Sequence, residues 1–154
     1  IGLRYFNVFG RKQDPNGAYA AAIPKFIKAF MNHESPKING DGSQTRDFTY
    51  IDNVIQANHL AGSTQNKEAF NEIFNVACGD QSILLDLVKT LRNLLSDFDS
   101  KISSVDITHG PERIGDVKHS LASIEKAKKL LNYQPTHNVS SGLKEAIEWY
   151  WKNL

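Results

Sequence analysis

The opening stretch Ile1 to Val8, IGLRYFNV, places apolar and β-forming side chains at odd and even positions alike. A strand with one wet face alternates, whereas one that is apolar on both parities suits a parallel sheet covered by helices on both sides. Parallel strands need long crossovers, usually helical, so the rest of the chain has to supply helices between strands. It does so. Gly10 to Gly17, GRKQDPNG, reads as a loop because glycine, proline, aspartate and asparagine each favour turns. Ala20 to Met31 reads as a helix with Ile23, Phe26, Ile27 and Phe30 at helical spacing and Pro24 in its first turn. Lys37–Asn39 and Gln44–Ile51 read as short strands joined by a hairpin turn at GDGS. A helix from Asp52 to Thr64, a buried strand at Ile73–Ala77 and an amphipathic helix over Leu84–Leu95 follow. A strand at Val105–Thr108, a polar loop and helices over Leu121–Leu131 and Val139–Asn153 complete the series. Strands alternating with helices indicate an α/β fold.

Composition narrows the function. The 154 residues carry 18 basic and 17 acidic side chains with no block of like charge, which speaks against a nucleic-acid or membrane-surface partner. Any anion site must therefore be local. The single cysteine, Cys78, rules out a disulfide within the chain and reads as a buried, inert thiol. The five histidines have no partner at metal-ligand spacing, so no metal is expected. No apolar run reaches the ~20 residues of a membrane span and no export signal is visible, so a cytoplasmic setting is expected. The chain opens on Ile1 directly into a strand pattern, which leads us to expect the later part of a longer polypeptide.

Three polar clusters stand in otherwise apolar surroundings: Asn7 at the end of RYF, Arg46 beside Asp47, and Arg113 with Asp116 in ERIGD. The arginine fork can give two parallel hydrogen bonds to a phosphate, so two arginines would match a diphosphate. Ordinary ion pairs remain open: Arg46 with Asp47 or another carboxylate, and Arg113 with Glu112 or Asp116. Asn7 could equally stabilise a turn. The sequence holds no P-loop, no nucleophile elbow, no complete glycine-rich dinucleotide turn and no Tyr-x-x-x-Lys pair.

Taken in order, LRYFNVFG, IPKFI, INGDGSQTRDFTYIDNVIQA, FNVACGD, ERIGDVKHSLASIEKAKKLLNYQP and GLKEAIEWY resemble the C-terminal half of the extended short-chain dehydrogenase/reductase superfamily, the NAD-dependent nucleotide-sugar epimerases and dehydratases. Within it the wording is most similar to UDP-N-acetylglucosamine 4-epimerases. The resemblance implies the last strands and helices of an NAD-binding Rossmann-type fold, at residues 1–9 and 51–79. A small α/β nucleotide-sugar-binding domain would occupy 10–50 and 80–154.

The same resemblance implies residue roles. Asn7 would contact the sugar diphosphate, and Tyr5 would lie near the nicotinamide. Gln13, Ala21 and Ala22 would line the sugar and nucleotide pocket, with the helix N-terminus helping to hold negative charge. Ile38 and Asn39 would lie along the uracil, and Lys37 replaces an aromatic often found there. Arg46 would grip the diphosphate, and Arg113 with Asp116 would hold phosphate and ribose. Ser120 would leave room for an N-acetyl group beside the sugar's C2, unless it caps a helix starting at Leu121.

In the family's reaction a tyrosine base takes the 4-hydroxyl proton while hydride passes from C4 to NAD. The 4-keto sugar then turns over and hydride returns to its other face. The resemblance assigns that base, its lysine and the glycine-rich NAD loop to the N-terminal half. The chain would thus be the substrate-binding half of a homodimeric UDP-N-acetylglucosamine/UDP-N-acetylgalactosamine 4-epimerase of surface polysaccharide biosynthesis, inactive alone. Another nucleotide-sugar epimerase, dehydratase or decarboxylase, or a non-catalytic binding module, are the alternatives.

Overall fold

The computed structural model describes residues 1–16 and 21–154, and shows eight short strands and five α-helices among them. In chain order these are β1 (Gly2–Tyr5), β2 (Val8–Phe9), α1 (Ala22–Met31), β3 (Lys37–Asn39), β4 (Thr45–Arg46), β5 (Thr49–Tyr50) and α2 (Ile51–Ser63). Then follow β6 (Ile73–Val76), β7 (Ser82–Ile83), α3 (Leu84–Ser96), β8 (Thr108–Gly110), α4 (Glu125–Leu131) and α5 (Val139–Asn153). Short 3-10 turns at Lys67–Ala69 and Ser100–Ser104 precede β6 and β8.

Strands pair with distant partners, and mostly in parallel. β1 runs alongside β6, β2 alongside β5 and β3 alongside β8, while β4 and β7 are antiparallel. The expected continuous strand over Ile1–Val8 is broken at Asn7, whose φ of 35° lies in the region asparagine tolerates better than most side chains. That kink lets the chain leave β6 and join β5, with the Thr49 amide donating to the Asn7 carbonyl at 3.2 Å.

The hairpin expected at GDGS does not form, because β3 pairs with β8 and β4 with β7. Gly40–Ser43 is a turn between strands of different sheets. The Asp41 carboxylate accepts from the Ser43 amide and hydroxyl, and both glycines have positive φ. At Gly42 a Cβ would stand 2.9 Å from the Leu85 Cβ, so the glycine also lets the turn sit on the start of α3.

Two apolar cores result. The first joins α1, α3 and α5 around Phe9, Ile38, Phe48 and Tyr50. The second joins α2, β6 and α4 around Val54, Phe74, Val76, Ile124 and Leu131. β1 and β6 are covered on one face only, since Phe74 and Val76 are buried while Ile73 is 57% exposed. This corrects the expectation of burial on both faces, as α2 and α4 lie against a single side among the described residues.

Other boundaries moved for local reasons. α1 starts at Ala22, and Ala20 lies outside the described residues. α4 starts at Glu125 instead of Leu121, because the Ala122 amide donates to Asp47 and Ala122 and Ile124 insert into the second core. The last strand is Thr108–Gly110, since the 3-10 turn at Ser100–Ser104 ends against Val105.

Candidate functional site: a cationic cleft over the first core

A cleft of about 560 Å³ opens between the β1–β2 junction, the start of α1, β3, β4 and the loop after β8. Asn7, Ala21, Ala22, Asn39, Arg46, Arg113 and Asp116 line it, which brings together seven of the residues singled out in the sequence. Lys25, Lys37 and Gln44 also line it. Its described lining thus holds four basic side chains, Lys25, Lys37, Arg46 and Arg113, against one acid, Asp116. In a chain of net charge +1, this is a local excess of positive potential suited to an anion.

Arg46 and Asp47 part company, as expected of adjacent residues on extended backbone. Asp47 turns inward and is fully buried, its carboxylate accepting from the amides of Cys78 at 2.9 Å, Gly79 at 3.1 Å and Ala122 at 3.4 Å. Burial pushes its pKa above the usual carboxylate value, and the three amides pull the other way. Asp47 fastens two segments beneath the cleft floor. Asn7 joins them by donating its carboxamide to the Asp47 carbonyl at 3.0 Å.

Arg46 turns toward the cleft. It donates from Nη1 to the Thr45 carbonyl at 2.7 Å and from Nη2 to the Asp116 carboxylate at 2.5 Å. Its ion pair is therefore with Asp116 across the cleft rim, not with its neighbour. Arg113 stands at the rim, lining both this cleft and a smaller one of about 90 Å³ beside Glu112 and Gly40.

The start of α1 contributes backbone. Ala21, at the N-cap, makes no side-chain cap hydrogen bond, and no acid occupies the first turn. The first-turn amides keep their partial positive charge for a ligand, and the two alanine methyls leave space beside them. Lys25 follows Ala21 by four residues on the same helix face, and that spacing could have flagged it from sequence.

The remaining singled-out residues lie around the cleft without lining it among the described residues. Ile38 is fully buried in the first core, while its neighbours Lys37 and Asn39 alternate toward the cleft. Gln13 donates to the Val8 carbonyl at 3.4 Å, and its own carbonyl and that of Gly10 each lie 3.0 Å from the Tyr150 hydroxyl on α5. The Ser120 amide donates to the Thr45 carbonyl at 3.1 Å, so Ser120 clips the rim loop beside Arg46 and does not cap α4. Tyr5 is 48% exposed at the carboxyl end of β1, its hydroxyl donating to Asn58 Oδ1 at 3.0 Å. Cys78 is half-buried rather than fully buried, and burial holds its thiol above the usual pKa.

One cluster escaped the sequence reading. Asp52, His137 and Glu145 bring their ligating atoms within 4.8 Å of one another, from α2 and from the start of α5. Spacing along the chain carries no sign of it, as the three are held together only by folding. Each is engaged by protein: Arg11 grips Asp52 at 3.1 Å, His137 Nε2 lies 2.9 Å from Glu145, and the Tyr50 hydroxyl donates to Glu145 at 3.0 Å.

With this geometry in view, the comparisons with known proteins are decisive. The family model described as NAD dependent epimerase/dehydratase family matches residues 1–77. The chain belongs to that family. The UDP-N-acetylglucosamine 4-epimerase from Methanobrevibacter ruminantium M1, solved with UDP-N-acetylmuramic acid, is 38% identical with a TM-score of 0.87, the match covering 99% of this chain and 46% of that one. The UDP-glucuronic acid 4-epimerase from Bacillus cereus, solved with UDP-glucuronic acid and NAD, is 32% identical with a TM-score of 0.82, covering 99% and 45%. The UDP-N-acetyl-alpha-D-glucosaminuronate decarboxylase of Bacillus cytotoxicus is 31% identical over 152 residues, covering 96% of this chain and 45% of its own length. The chain thus spans about half the length of the relatives it matches.

The matching family is NAD dependent, and the residues present fit one edge of a dinucleotide site. Tyr5 and Asn7 stand at the carboxyl end of parallel β1, the end at which open α/β sheets bind ligands. The 154 residues contain no glycine-rich strand-to-helix turn, so they fit a partial contribution and not a complete dinucleotide site. No helix among the described residues is long and apolar enough to cross a membrane.

Proposed function

We propose that this chain supplies the substrate-binding side of a cytoplasmic NAD-dependent 4-epimerase that interconverts UDP-N-acetylglucosamine and UDP-N-acetylgalactosamine. The observation that carries the reading is the convergence of Arg46, Arg113, Asn7 and the uncapped start of α1 on one cleft with four bases to one acid. In this reading Arg46 and Arg113 hold the diphosphate, and the first-turn amides of α1 face its oxygens. Asp116 and Asn39 take the nucleoside, while Tyr5 abuts the nicotinamide. Residues 1–9 and 51–79 act with the dinucleotide-binding part, and residues 10–50 and 80–154 hold the sugar nucleotide. When bound, NAD supplies the acceptor and donor of hydride for inversion at the sugar's C4.

The chain's own residues fix the substrate by its phosphates, so that C4 can be presented on either face while the nucleotide stays put. The small side chains of Ala21 and Ala22, which line the cleft, favour an N-acetylated sugar, since nothing bulky from them competes with the acetamide. A second reading is favoured by Lys25 and Lys37, two cations beyond the arginine pair, which would suit a sugar carrying a carboxylate.

The test is calorimetric. UDP binding to the intact protein should weaken by about ten-fold or more in Arg46→Ala and in Arg113→Ala, as expected from losing charged hydrogen bonds worth about 1.5 kcal/mol or more each. If both variants bind UDP as well as the parent protein, the cleft does not hold the diphosphate. Turnover of UDP-N-acetylglucosamine against UDP-glucuronate then separates the two sugar readings.

A further inference from the structure

The rim loop between β8 and Lys118 is a strap hung from two fixed ends. At one end Gly110 pairs with Asn39, and the Gly40 amide donates to the Gly110 carbonyl at 2.9 Å. At the other, the Thr45 amide donates to the Lys118 carbonyl at 2.9 Å and the Ser120 amide to the Thr45 carbonyl at 3.1 Å. Between them the strap barely touches the body. Ile114 is fully exposed, Val117 is 60% exposed, and Gly115 has a φ of +80° with open space around it. Its own turn is closed by the Asp116 amide donating to the Arg113 carbonyl at 3.1 Å. Among the described residues, the one side-chain hydrogen bond from 111–117 to the rest of the protein is that of Asp116 with Arg46.

Arg46 itself is well placed to be contested. Its side chain is 16% exposed, it stands on the cleft wall, and one arm is held by the Thr45 carbonyl. The arm that remains for an anion already carries a carboxylate. A carboxylate and a phosphate offer the guanidinium the same kind of charged acceptor.

We propose that Asp116 occupies on Arg46 the bond that a diphosphate takes, so that the strap is latched in the empty protein and released when the ligand arrives. This rests on the reading of Arg46 as the diphosphate grip. A nucleoside diphosphate has to displace Asp116, and its apparent affinity is lowered by the fraction of molecules whose latch is closed. Once displaced, Asp116 is available to hydroxyl groups of the ligand, and the strap is free to move on its Gly115 turn.

Inorganic pyrophosphate isolates the exchange, because it has the charge and lacks the sugars that Asp116 could otherwise hold. Its dissociation constant is measured by calorimetry on the intact protein saturated with NAD, so that the cofactor's own phosphate site is closed to it. Asp116→Asn, which keeps the shape and removes the charge, should bind pyrophosphate about five-fold tighter or more, the gain from a latch closed in most molecules. Glu112→Gln removes a charge from the same strap without touching Arg46, and should change affinity by less than about two-fold, as a distant screened charge would. Arg46→Gln should weaken binding by about ten-fold or more. An Asp116→Asn affinity that is unchanged or weaker overturns the latch while leaving the grip intact, provided Arg46→Gln still weakens binding. Equal tightening in Asp116→Asn and Glu112→Gln also overturns it, because the effect is then only net charge. An Arg46→Gln variant that binds normally overturns grip and latch together.

Discussion

At Arg46 and Asp47 two charged side chains one peptide apart do opposite work, and the buried one sets the position of the other. Asp47 satisfies three backbone amides from two separate segments. Asp47→Ala would strand those donors, and since an unsatisfied buried donor costs about 1–3 kcal/mol, unfolding in urea should show a loss of about 3 kcal/mol or more. Because burial raises its folded pKa above the usual carboxylate value, protonation is more favourable in the native state than in the unfolded chain. Asp47 alone therefore stabilises most at low pH, and its contribution falls as pH rises through the folded value. Glu145 has the opposite sign: bonds from His137 and Tyr50 lower its pKa below 4.5. The stability it brings is full above that value and is lost as pH falls through the folded pKa. Comparing urea unfolding of wild type and Glu145→Gln from neutral to acid pH should show the difference closing in acid, at below about 1 kcal/mol for so exposed a pair. The separation of Arg46 from Asp47 was legible from strand alternation. The partner Arg46 actually takes, 70 residues away, was not, since no local pattern encodes it.

Elements divide along the same line between local and distant causes. α1, α3 and α5 were readable because each carries an apolar stripe at helical spacing, and burial of Ile27, Leu91 and Ile147 follows from it. The misread hairpin shows the limit. A glycine-rich turn between two short strands looks the same whether the strands pair with each other or with β7 and β8, and that choice is made by the first core drawing in Ile38. The delayed start of α4 has a similar origin, as Asp47 holds Ala122 in an extended segment. Gly142 in α5 gives an element-scale prediction. Glycine to alanine inside a helix ordinarily stabilises by about 1 kcal/mol, yet a Cβ here would stand 2.7 Å from the Tyr50 Cγ, and Tyr50 is fully buried. Overpacking of about 1–3 kcal/mol exceeds the propensity gain, so Gly142→Ala should lower the midpoint of chemical unfolding.

At the scale of the molecule, a chain of net charge +1 carries a cationic cleft among its described residues, so electrostatics should act on ligand binding far more than on solubility. UDP affinity should fall steadily as ionic strength rises from about 0.05 to 0.5 M, where screening shortens to a few ångströms, and a flat response would deny the cleft its role. The family was legible because six sequence motifs fall in register along the chain. The Asp52–His137–Glu145 cluster was not, since it depends on which helices share a core. The placement of Tyr150 has a further consequence. Its hydroxyl lies within hydrogen-bond distance of the carbonyls of Gly10 and Gln13, joining points 140 and 137 residues apart. During synthesis the chain emerges from its amino end, so the loop leading to the cleft is made before α5 and stays unfastened until α5 has left the ribosome. The binding surface can be completed only once α5 has emerged, and a nascent chain stopped short of residue 150 would hold the cleft's residues without the tie that fixes its entrance.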